Sequence, residues 1–477
     1  MIVPTSASDA ITERAGSFRP AYLWLTAAAG ALGGLLFGYD WVVIGGAKPF
    51  YELYFHLHSP ALQGWAMSCA LIGCLVGAVT SGRLSNRFGR KRLLTLAAFV
   101  FALSSVGTGV APHFVAFVAW RILGGYAIGL ASGISPMYIA EISPAHLRGR
   151  LVSLNQLAIV FGILFAQVAN WLIARPVPLG ATAQEILASW NCQSGWRWMF
   201  AVTAIPSLLF LVSTFLVPES PRWLAAMGRD AQAFGVLERL GGAAYAQQVM
   251  QDFKAASGEE PRGSLRKELS SPGMAKVLVL GVTLAVLQQW CGINVIFNYA
   301  QEIFAAAGYQ ISGILFNIVV TGTVNVVFTL VALTAIDRYG RRFLLLGGVG
   351  GLALIYLVLG SLYYFHLQGL PLLLLVLAGI ACYATSLAPA TWVVIAEIFP
   401  NRIRGSAVSI AVTALWTACF VLTYTFPLLN ASIGASGTFW TYAAICVAGW
   451  TFLYFRLPET RGKTLEEIET SIHEGKL

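Results

Sequence analysis

Charged residues are scarce in this chain. Asp, Glu, Lys and Arg make up 11% of its 477 residues, whereas about a quarter of a soluble domain is charged. Hydrophobic residues reach 57%, and the mean hydropathy is +0.72. Such a surface would associate in water, so the composition excludes an ordinary soluble protein. It predicts an integral membrane protein.

The sequence also lacks the signatures of several kinds of chemistry. Its seven cysteines are scattered, and none has the spacing of a metal site or a redox pair. No Gly-x-x-x-x-Gly-Lys-Ser/Thr loop occurs, which argues against an ATP-driven pump. No catalytic constellation is visible. We therefore expect no enzyme activity, no cofactor and no metal, and we interpret the cysteines as small packing residues.

Long apolar segments recur along the chain, and about 20 residues suffice for a helix to cross a bilayer. Twelve spans are predicted, at 20–45, 60–82, 92–111, 114–138, 151–173, 197–217, 274–300, 312–336, 343–366, 371–396, 406–428 and 436–456.

Nearly all of the 30 Lys and Arg residues fall in the termini or in the loops that follow every second span. The exceptions are Lys48, Arg175 and Arg197 in the opposite loops and Arg121 within a span. Cytoplasmic loops are enriched in Lys and Arg, so both termini should be cytoplasmic. The net charge of +9 is then a topology signal, and no nucleic-acid partner is expected.

Three motifs occur twice in the same order, with offsets of about 250 residues. They are Arg87–Arg90 with Arg338–Arg341, Glu141–Pro144 with Glu397–Pro400, and Pro218–Ser220 with Pro458–Thr460. This duplication predicts two homologous six-helix halves. Membrane proteins built from repeats carry their solute sites near the bilayer midplane, at the repeat interface.

The expected domain organisation follows from the spans. It comprises an N-terminal tail (1–19), a six-helix bundle (20–217), a cytoplasmic helical linker (218–273), a second six-helix bundle (274–456) and a C-terminal tail (457–477). Within the linker, helices are predicted near 229–240 and 244–256. A capping-box pattern at Thr464 and Glu467 predicts a short helix in the C-terminal tail.

Together with Pro218–Trp223 and Pro458–Gly462, these motifs resemble those of the sugar porters of the major facilitator superfamily. The resemblance covers residues 20–475. It implies an all-α membrane protein with twelve transmembrane helices in two pseudo-symmetric halves and alternating access to a central sugar site.

The resemblance also implies a charge network on the cytoplasmic face, called here the cytoplasmic latch. Its expected members are Arg83, Arg87, Arg90, Glu141, Arg148, Glu219, Arg341, Glu397, Arg404 and Glu459. Asn86 stands where the superfamily often has Asp, which affects one salt bridge of the latch. The alternative is that these arginines only determine the topology.

Asp40 and Arg121 are the two ionisable residues predicted to lie deep within spans. An unpaired charge there costs at least about 2.5–3.5 kcal/mol, so opposite signs in one half suggest a pair. The pair is either structural or a proton site, in which Asp40 protonates when a conformational change separates it from Arg121.

The segments Leu36–Asp40 and Arg121–Gly125 resemble those of proton-coupled symporters of the family, whereas passive facilitators tend to have Asn at the acid's position. This resemblance implies that Asp40 carries a proton and that Arg121 is its partner. A symporter of the family has a second acid in the sixth span, where Thr203 stands here.

The seventh span is rich in amides, since Gln288, Gln289, Asn294 and Asn298 lie within eleven residues. Amides can donate to and accept from sugar hydroxyls, and aromatic rings pack on the apolar faces of sugars. On a straight helix Gln289 and Asn294 would point well apart, so a break near Gly292 is needed to aim them at one cavity. The alternative is that these amides join helices.

Gln-Gln followed by Gly-Ile-Asn resembles a sugar-porter signature, which implies that the first three amides bind sugar. The full expected substrate-binding set is Gln156, Gln288, Gln289, Asn294, Asn325, Trp392, Trp416, Phe37, Ile159, Ile163, Phe297 and Asn298. Pro136 and Pro389 are expected bend points, and Phe297–Tyr299 is an expected outer gate.

Three positions depart from the family pattern. Asn298 replaces a tyrosine, Leu415 replaces an amide, and Ala384 stands where animal facilitators have an acid. A sugar hydroxyl left unpaired beside Leu415 would cost about 1–3 kcal/mol, so this position bears on which sugar binds.

These features predict a proton-coupled symporter for a pentose or hexose in the bacterial cytoplasmic membrane. Its expected partners are the sugar, the proton and the lipid bilayer, and it is expected to work as a monomer. The alternatives are a passive facilitator with a structural Asp40–Arg121 pair, a non-transporting sugar sensor and a polyspecific exporter. The short C-terminal tail argues against a sensor, and the polar seventh span argues against an exporter.

Overall fold

The computed structural model describes residues 19–144, 147–178, 181–257, 272–306, 311–367, 369–399 and 404–458. Most of these residues are helical. Glu459 of the expected latch and the helix predicted in the C-terminal tail lie outside the described residues.

The first half contains five long helices and a sixth, interrupted one. They are α1 (Pro20–Tyr54), α2 (Pro60–Phe88), α3 (Arg90–Gly109), α4 (Phe114–Ile142), α5 (Arg148–Ile173), α6 (Ala183–Ala188), a π-helical turn (Asn191–Gly195), α7 (Trp196–Ala201) and α8 (Ala204–Leu216). Prolines open α1 and α2, where their missing N–H has no helical partner to lose.

The described part of the segment between the halves, residues 218–257, is largely helical. It contains α9 (Pro221–Ala226) and α10 (Asp230–Ser257), and α10 is kinked at Gly242. These helices bury a small apolar cluster of their own around Trp223 and Leu237. This cluster packs α9 against α10.

The second half repeats the pattern with two broken helices. Its elements are α11 (Pro272–Trp290), α12 (Ile293–Asn298), α13 (Ala300–Ala306), α14 (Ile311–Tyr339), α15 (Arg341–Tyr364), α16 (Leu370–Thr385), α17 (Leu387–Ile398) and α18 (Arg404–Arg456).

Eleven segments of the described chain are long and apolar enough to cross a membrane. The last extends from Ala407 to Arg456, 50 residues, whereas a single crossing needs about 20. Gly434 interrupts it with non-helical angles of φ 69° and ψ 177°. Dividing α18 at Gly434 would give twelve segments, and the count of twelve spans stays a prediction.

One sequence-based assignment is wrong. Lys48 was expected in a loop, but α1 continues to Tyr54 and buries Lys48 to 3% exposure. Its Nζ lies 3.0 Å from Oε1 of Glu52, one turn further on, so the positive charge is compensated within the helix. The first half therefore buries the charged side chain of Lys48 in addition to those of Asp40 and Arg121.

The two halves touch at the ends of their helices that lie away from the basic loops. Gln167 of α5 donates to Thr321 of α14 over 3.4 Å, and Lys48 lies 5.4 Å from the ring centroid of Tyr299. At the same level, the backbone of α2 at Gly64 lies against the backbone of Tyr424. The interface is thus closed on this side of the bundle.

Close backbone contact holds α1 against α5. A Cβ atom at Gly38 would overlap the carbonyl oxygen of Ile159, and one at Gly34 would lie 2.7 Å from the carbonyl oxygen of Asn155. Small residues four apart let membrane helices approach this closely. Because Gly38 lies two residues before Asp40, this contact also fixes the position of the acid.

Replacing Gly38 with valine should therefore destabilise the protein. The added methyl groups meet backbone atoms that cannot move aside, and overpacking of this kind costs about 1–3 kcal/mol or more. We expect a clearly lower melting temperature in detergent and a smaller monodisperse yield. Gly347→Ala is the matched control, because nothing lies within 4 Å of a Cβ atom at that helix position. Equal stability of the two variants would contradict this packing argument.

Candidate functional site

Asp40 and Arg121 meet in the core of the first half. Arg121 Nη1 donates a hydrogen bond to Asp40 Oδ1, and the two residues are only 4% and 6% exposed, respectively. The Phe200 ring centroid lies 5.3 Å from the guanidinium carbon of Arg121, which adds a cation–π contact. The sequence-based pairing is therefore present in the structure. Removing one partner of such a buried pair costs about 3–5 kcal/mol.

A small cavity of about 20 Å³ adjoins this ion pair. Its walls include Asp40, Arg121, Trp41 and Cys74 from the first half and Asn298 from the second half. About 10–15 Å³ is enough space for one water molecule. The cavity beside the ion pair is thus bordered by the other half of the protein through Asn298.

The seventh span is broken where the amide spacing required it. Gly292 adopts the left-handed conformation with φ 85°, which side chains with a Cβ atom rarely adopt, and it separates α11 from α12. Across the break, Asn294 Nδ2 donates to Gln289 Oε1. Gln288 lies beside them, with Nε2 3.5 Å from the carbonyl oxygen of Leu387. The predicted sugar-binding amides therefore converge, and each is at most 8% exposed.

An aromatic cluster joins the two halves. The ring of Phe37 lies 5.5 Å from that of Trp416, and Trp41 lies 5.9 Å from Phe37 and 6.2 Å from Trp416. Phe37 and Trp416 were expected in the sugar pocket. Trp41 was not among the predicted pocket residues. Its position directly after Asp40, one helical turn from Phe37, could have indicated that it belongs to this cluster.

The other predicted pocket residues differ in how deeply they are buried. Asn325 and Phe297 are buried to 4% exposure, Ile163 is buried, and Gln156 and Ile159 are half-buried. Trp392 is 39% exposed and makes no ring contact with a described residue. A wide groove of about 510 Å³ lies between α11 and α18, but its lining does not include the amides. The sugar-binding roles of all these residues stay predictions.

Part of the expected cytoplasmic latch forms a compact network in the first half. Arg90 Nη2 lies 3.0 Å from Glu141 Oε1, and Glu141 Oε2 accepts from the Ser220 hydroxyl over 2.5 Å. Glu219 accepts hydrogen bonds from the backbone N–H groups of Arg90 and Lys91 at the start of α3. A carboxylate at a helix N-terminus is favoured by the helix dipole.

The duplicated motif forms the equivalent pair in the second half, where Arg341 Nη2 lies 3.1 Å from Glu397 Oε1. Three other expected members, Arg83, Arg87 and Arg148, are exposed and form no ion pair with a described residue. The side chain of Arg404 lies outside the described part of the chain. Each observed ion pair of the network lies within one half.

The fold and these paired motifs can be compared with known proteins. A sequence model of the family described as "Sugar (and other) transporter" matches residues 26–471. The chain belongs to this sugar transporter family. Its relatives and its fold are those of multi-pass membrane transporters and not of enzymes.

The transporter is similar to several characterised relatives. It is 38% identical to the D-xylose-proton symporter of Escherichia coli (strain K12), covering 95% of this chain and 96% of the relative. It is 37% identical to the arabinose-proton symporter of Bacillus subtilis (strain 168), covering 94% of each. A solved structure of the E. coli xylose transporter XylE, in a partially occluded inward-open conformation, matches with a TM-score of 0.82. That match has 37% identity and covers 93% of this chain and all of the other.

Replacing Trp416 with leucine should weaken sugar binding by the transporter. The change keeps an apolar side chain but removes the ring that contacts Phe37 and Trp41, and an aromatic contact contributes about 0.5–1.5 kcal/mol. We expect the half-saturation concentration in counterflow to rise about threefold to tenfold. Trp450→Leu is the control, because Trp450 is 36% exposed and stacks on Tyr454 away from this cluster. If both variants behave alike, Trp416 has only a packing role.

Replacing Glu141 with glutamine should change the turnover rate and leave sugar affinity intact. Glutamine keeps the shape of the side chain and a hydrogen-bond acceptor but leaves the buried Arg90 without its counter-charge, at a cost of about 1–3 kcal/mol. The conformation that contains the pair is thereby disfavoured, so we expect about a fivefold to tenfold change in counterflow rate. Glu238→Gln, at an exposed linker position, is the control. An unchanged rate would mean that the arginines matter only for topology.

Proposed function

We propose that this protein is a proton-coupled monosaccharide symporter that works by alternating access. The observation that carries the proposal is the buried Asp40–Arg121 pair, which lies beside a cavity bordered by both halves. In the proposed cycle, Asp40 exchanges a proton when a conformational change separates it from Arg121. Relatives with proton-symporter names support the same assignment.

The substrate in this proposal is a pentose or a hexose. The converging amides of the seventh span supply hydrogen bonds to its hydroxyl groups, and the cluster of Phe37, Trp41 and Trp416 offers apolar ring faces. Gln156, Asn325 and Trp392 complete the proposed pocket. Leu415 adjoins Trp416 without an amide, so the sugar receives one hydrogen bond fewer than in relatives that have one.

In the proposed orientation both termini and the linker (218–273) face the cytoplasm, and two six-helix bundles (20–217 and 274–456) cross the cytoplasmic membrane. The basic loops then lie inside, and the closed end of the interface between the halves faces outward. The described conformation would accordingly be open or partly occluded towards the cytoplasm. The Arg90–Glu141 and Arg341–Glu397 pairs belong to the proposed latch on that side.

The competing function is passive facilitation, in which the Asp40–Arg121 pair only stabilises the bundle. The burial of the Asp40–Arg121 pair does not distinguish a symporter from a facilitator, because a buried ion pair is costly to break in either protein. A measurement of coupling must distinguish them. The sugar to be used is D-xylose, with L-arabinose and D-glucose in parallel.

Asp40→Asn should abolish proton-driven accumulation in proteoliposomes but preserve counterflow exchange. Asparagine keeps the size of the side chain and a hydrogen-bond acceptor for Arg121, but it cannot exchange a proton. With one pH unit directed inward, a one-to-one symporter can accumulate sugar about tenfold. We expect this accumulation in the wild type and simple equilibration in the variant.

Asp230→Asn serves as the control for loss of a carboxylate, because Asp230 is exposed in the linker. It should accumulate sugar like the wild type. If the wild type only equilibrates sugar whatever the gradient, the protein is a facilitator. If no sugar crosses at all although sugar binds, the sensor alternative gains support.

A further inference from the structure

The short helix α12 is set off from α11 by a sharp break in the backbone. It spans only Ile293–Asn298, and it follows the left-handed Gly292. At its other end, Tyr299 leaves the helical conformation with φ −119° and ψ 24°. The break at Gly292 gives α12 an orientation that is independent of the axis of α11.

This helix carries two amides on one face. Asn294 and Asn298 are four residues apart, which places them about 40° apart around the axis and about 6 Å apart along it. Asn294 donates to Gln289 among the predicted sugar-binding amides. Asn298 lines the cavity beside Asp40 and Arg121. One rigid element therefore reaches both the proposed sugar site and the proposed proton site.

Two polar atoms of the residues that line this cavity have no hydrogen-bond partner among the described residues. They are the amide oxygen of Asn298 and Nε of Arg121; both are buried, and their residues are each only 4% exposed. A buried amide oxygen without a partner costs about 1–3 kcal/mol. Besides Asp40 and Arg121, Cys74 is the one ionisable residue among those lining the cavity.

A single water molecule has the bonding capacity that this cavity requires. It can accept from Arg121 Nε while it donates to the amide oxygen of Asn298 and to the carboxylate of Asp40. The cavity of about 20 Å³ provides the space. Buried waters typically make about three hydrogen bonds to groups that are otherwise unsatisfied.

We propose that Asn298 is a positioning residue of the proton site, which links Asp40 through one bound water to the helix that presents Asn294 to the sugar. This inference rests on the proposed symport function. It gives Asn298 a different role from direct sugar binding, which was its role in the sequence-based prediction.

The link responds to the charge state of Asp40. An ionised carboxylate can only accept a hydrogen bond from the water, whereas a protonated one can donate to it. The water must then reorient, and its bond to Asn298 changes with it. Because Asn298 and Asn294 share α12, protonation of Asp40 alters the position from which Asn294 meets the sugar.

The test compares wild type, Asn298→Leu and Asn298→Ser in proteoliposomes with D-xylose. Leucine matches asparagine in size but cannot accept a hydrogen bond, whereas serine retains an acceptor oxygen. Two quantities are measured: counterflow at equal pH, and proton uptake per sugar with a pH-sensitive dye inside the vesicles. For Asn298→Leu we expect proton uptake per transported sugar to fall about fivefold to tenfold, a larger loss than that of the counterflow rate. Asn298→Ser should recover most of the coupling.

Ile296→Val is the matched control. Ile296 lies about 200° around the helix axis from Asn298, and its Cδ1 lies next to Gly379 of α16. Trimming this side of α12 should leave the coupling ratio unchanged. If Ile296→Val uncouples transport as strongly as Asn298→Leu, packing of α12 explains the effect and the proposed water link is wrong.

Two other outcomes overturn the inference in distinguishable ways. If the wild type couples and Asn298→Leu raises the half-saturation concentration for sugar with an unchanged coupling ratio, Asn298 binds sugar directly. The symport proposal would survive in that case. If the wild type takes up no protons with sugar, the proposed function fails first, and the inference fails with it.

Discussion

The buried ion pair between Asp40 and Arg121 fixes the position of α1, and much of the candidate site depends on that helix. Two charges at this depth are tolerable only while they compensate each other, so α1 must present its acid to α4. The same helix rotation turns Phe37 and Trp41 towards Trp416 of the other half. One helix of the first half thereby serves both the charge pair and the aromatic cluster at the interface.

The architecture can be predicted from the sequence because its signals are local. Apolar length identifies the spans, and the duplicated motifs reveal the two halves. The pairs Arg90–Glu141 and Arg341–Glu397 lie at span ends whose motifs are already related in the sequence. Helical periodicity also predicts the break at Gly292, because two amides five residues apart cannot otherwise face one cavity.

The sequence does not reveal side-chain placements that depend on how helices rotate and where they end. Lys48 looks like a loop residue until the full length of α1 is known. A lone tryptophan such as Trp41 reads as a lipid-facing anchor, and its contact with the other half depends on packing. Asn298 resembles a sugar-pocket position, but the described backbone brings it to the cavity of the charge pair.

The first helices of the two halves contain related segments with different backbones. Gly38–Asp40 and Gly292–Asn294 are separated by about 250 residues, like the other duplicated motifs. In the first half the glycine lets α1 approach α5 without interruption, and the acid lies in a fixed, tightly packed helix. In the second half the glycine is left-handed, and the amide begins a short separate helix. In the proposed cycle the amides reorient with the sugar on a short separate helix, whereas the acid keeps its place on a continuous helix. A single backbone difference at equivalent glycines therefore gives one half an uninterrupted helix that carries a charge and the other a separate helix that carries amides.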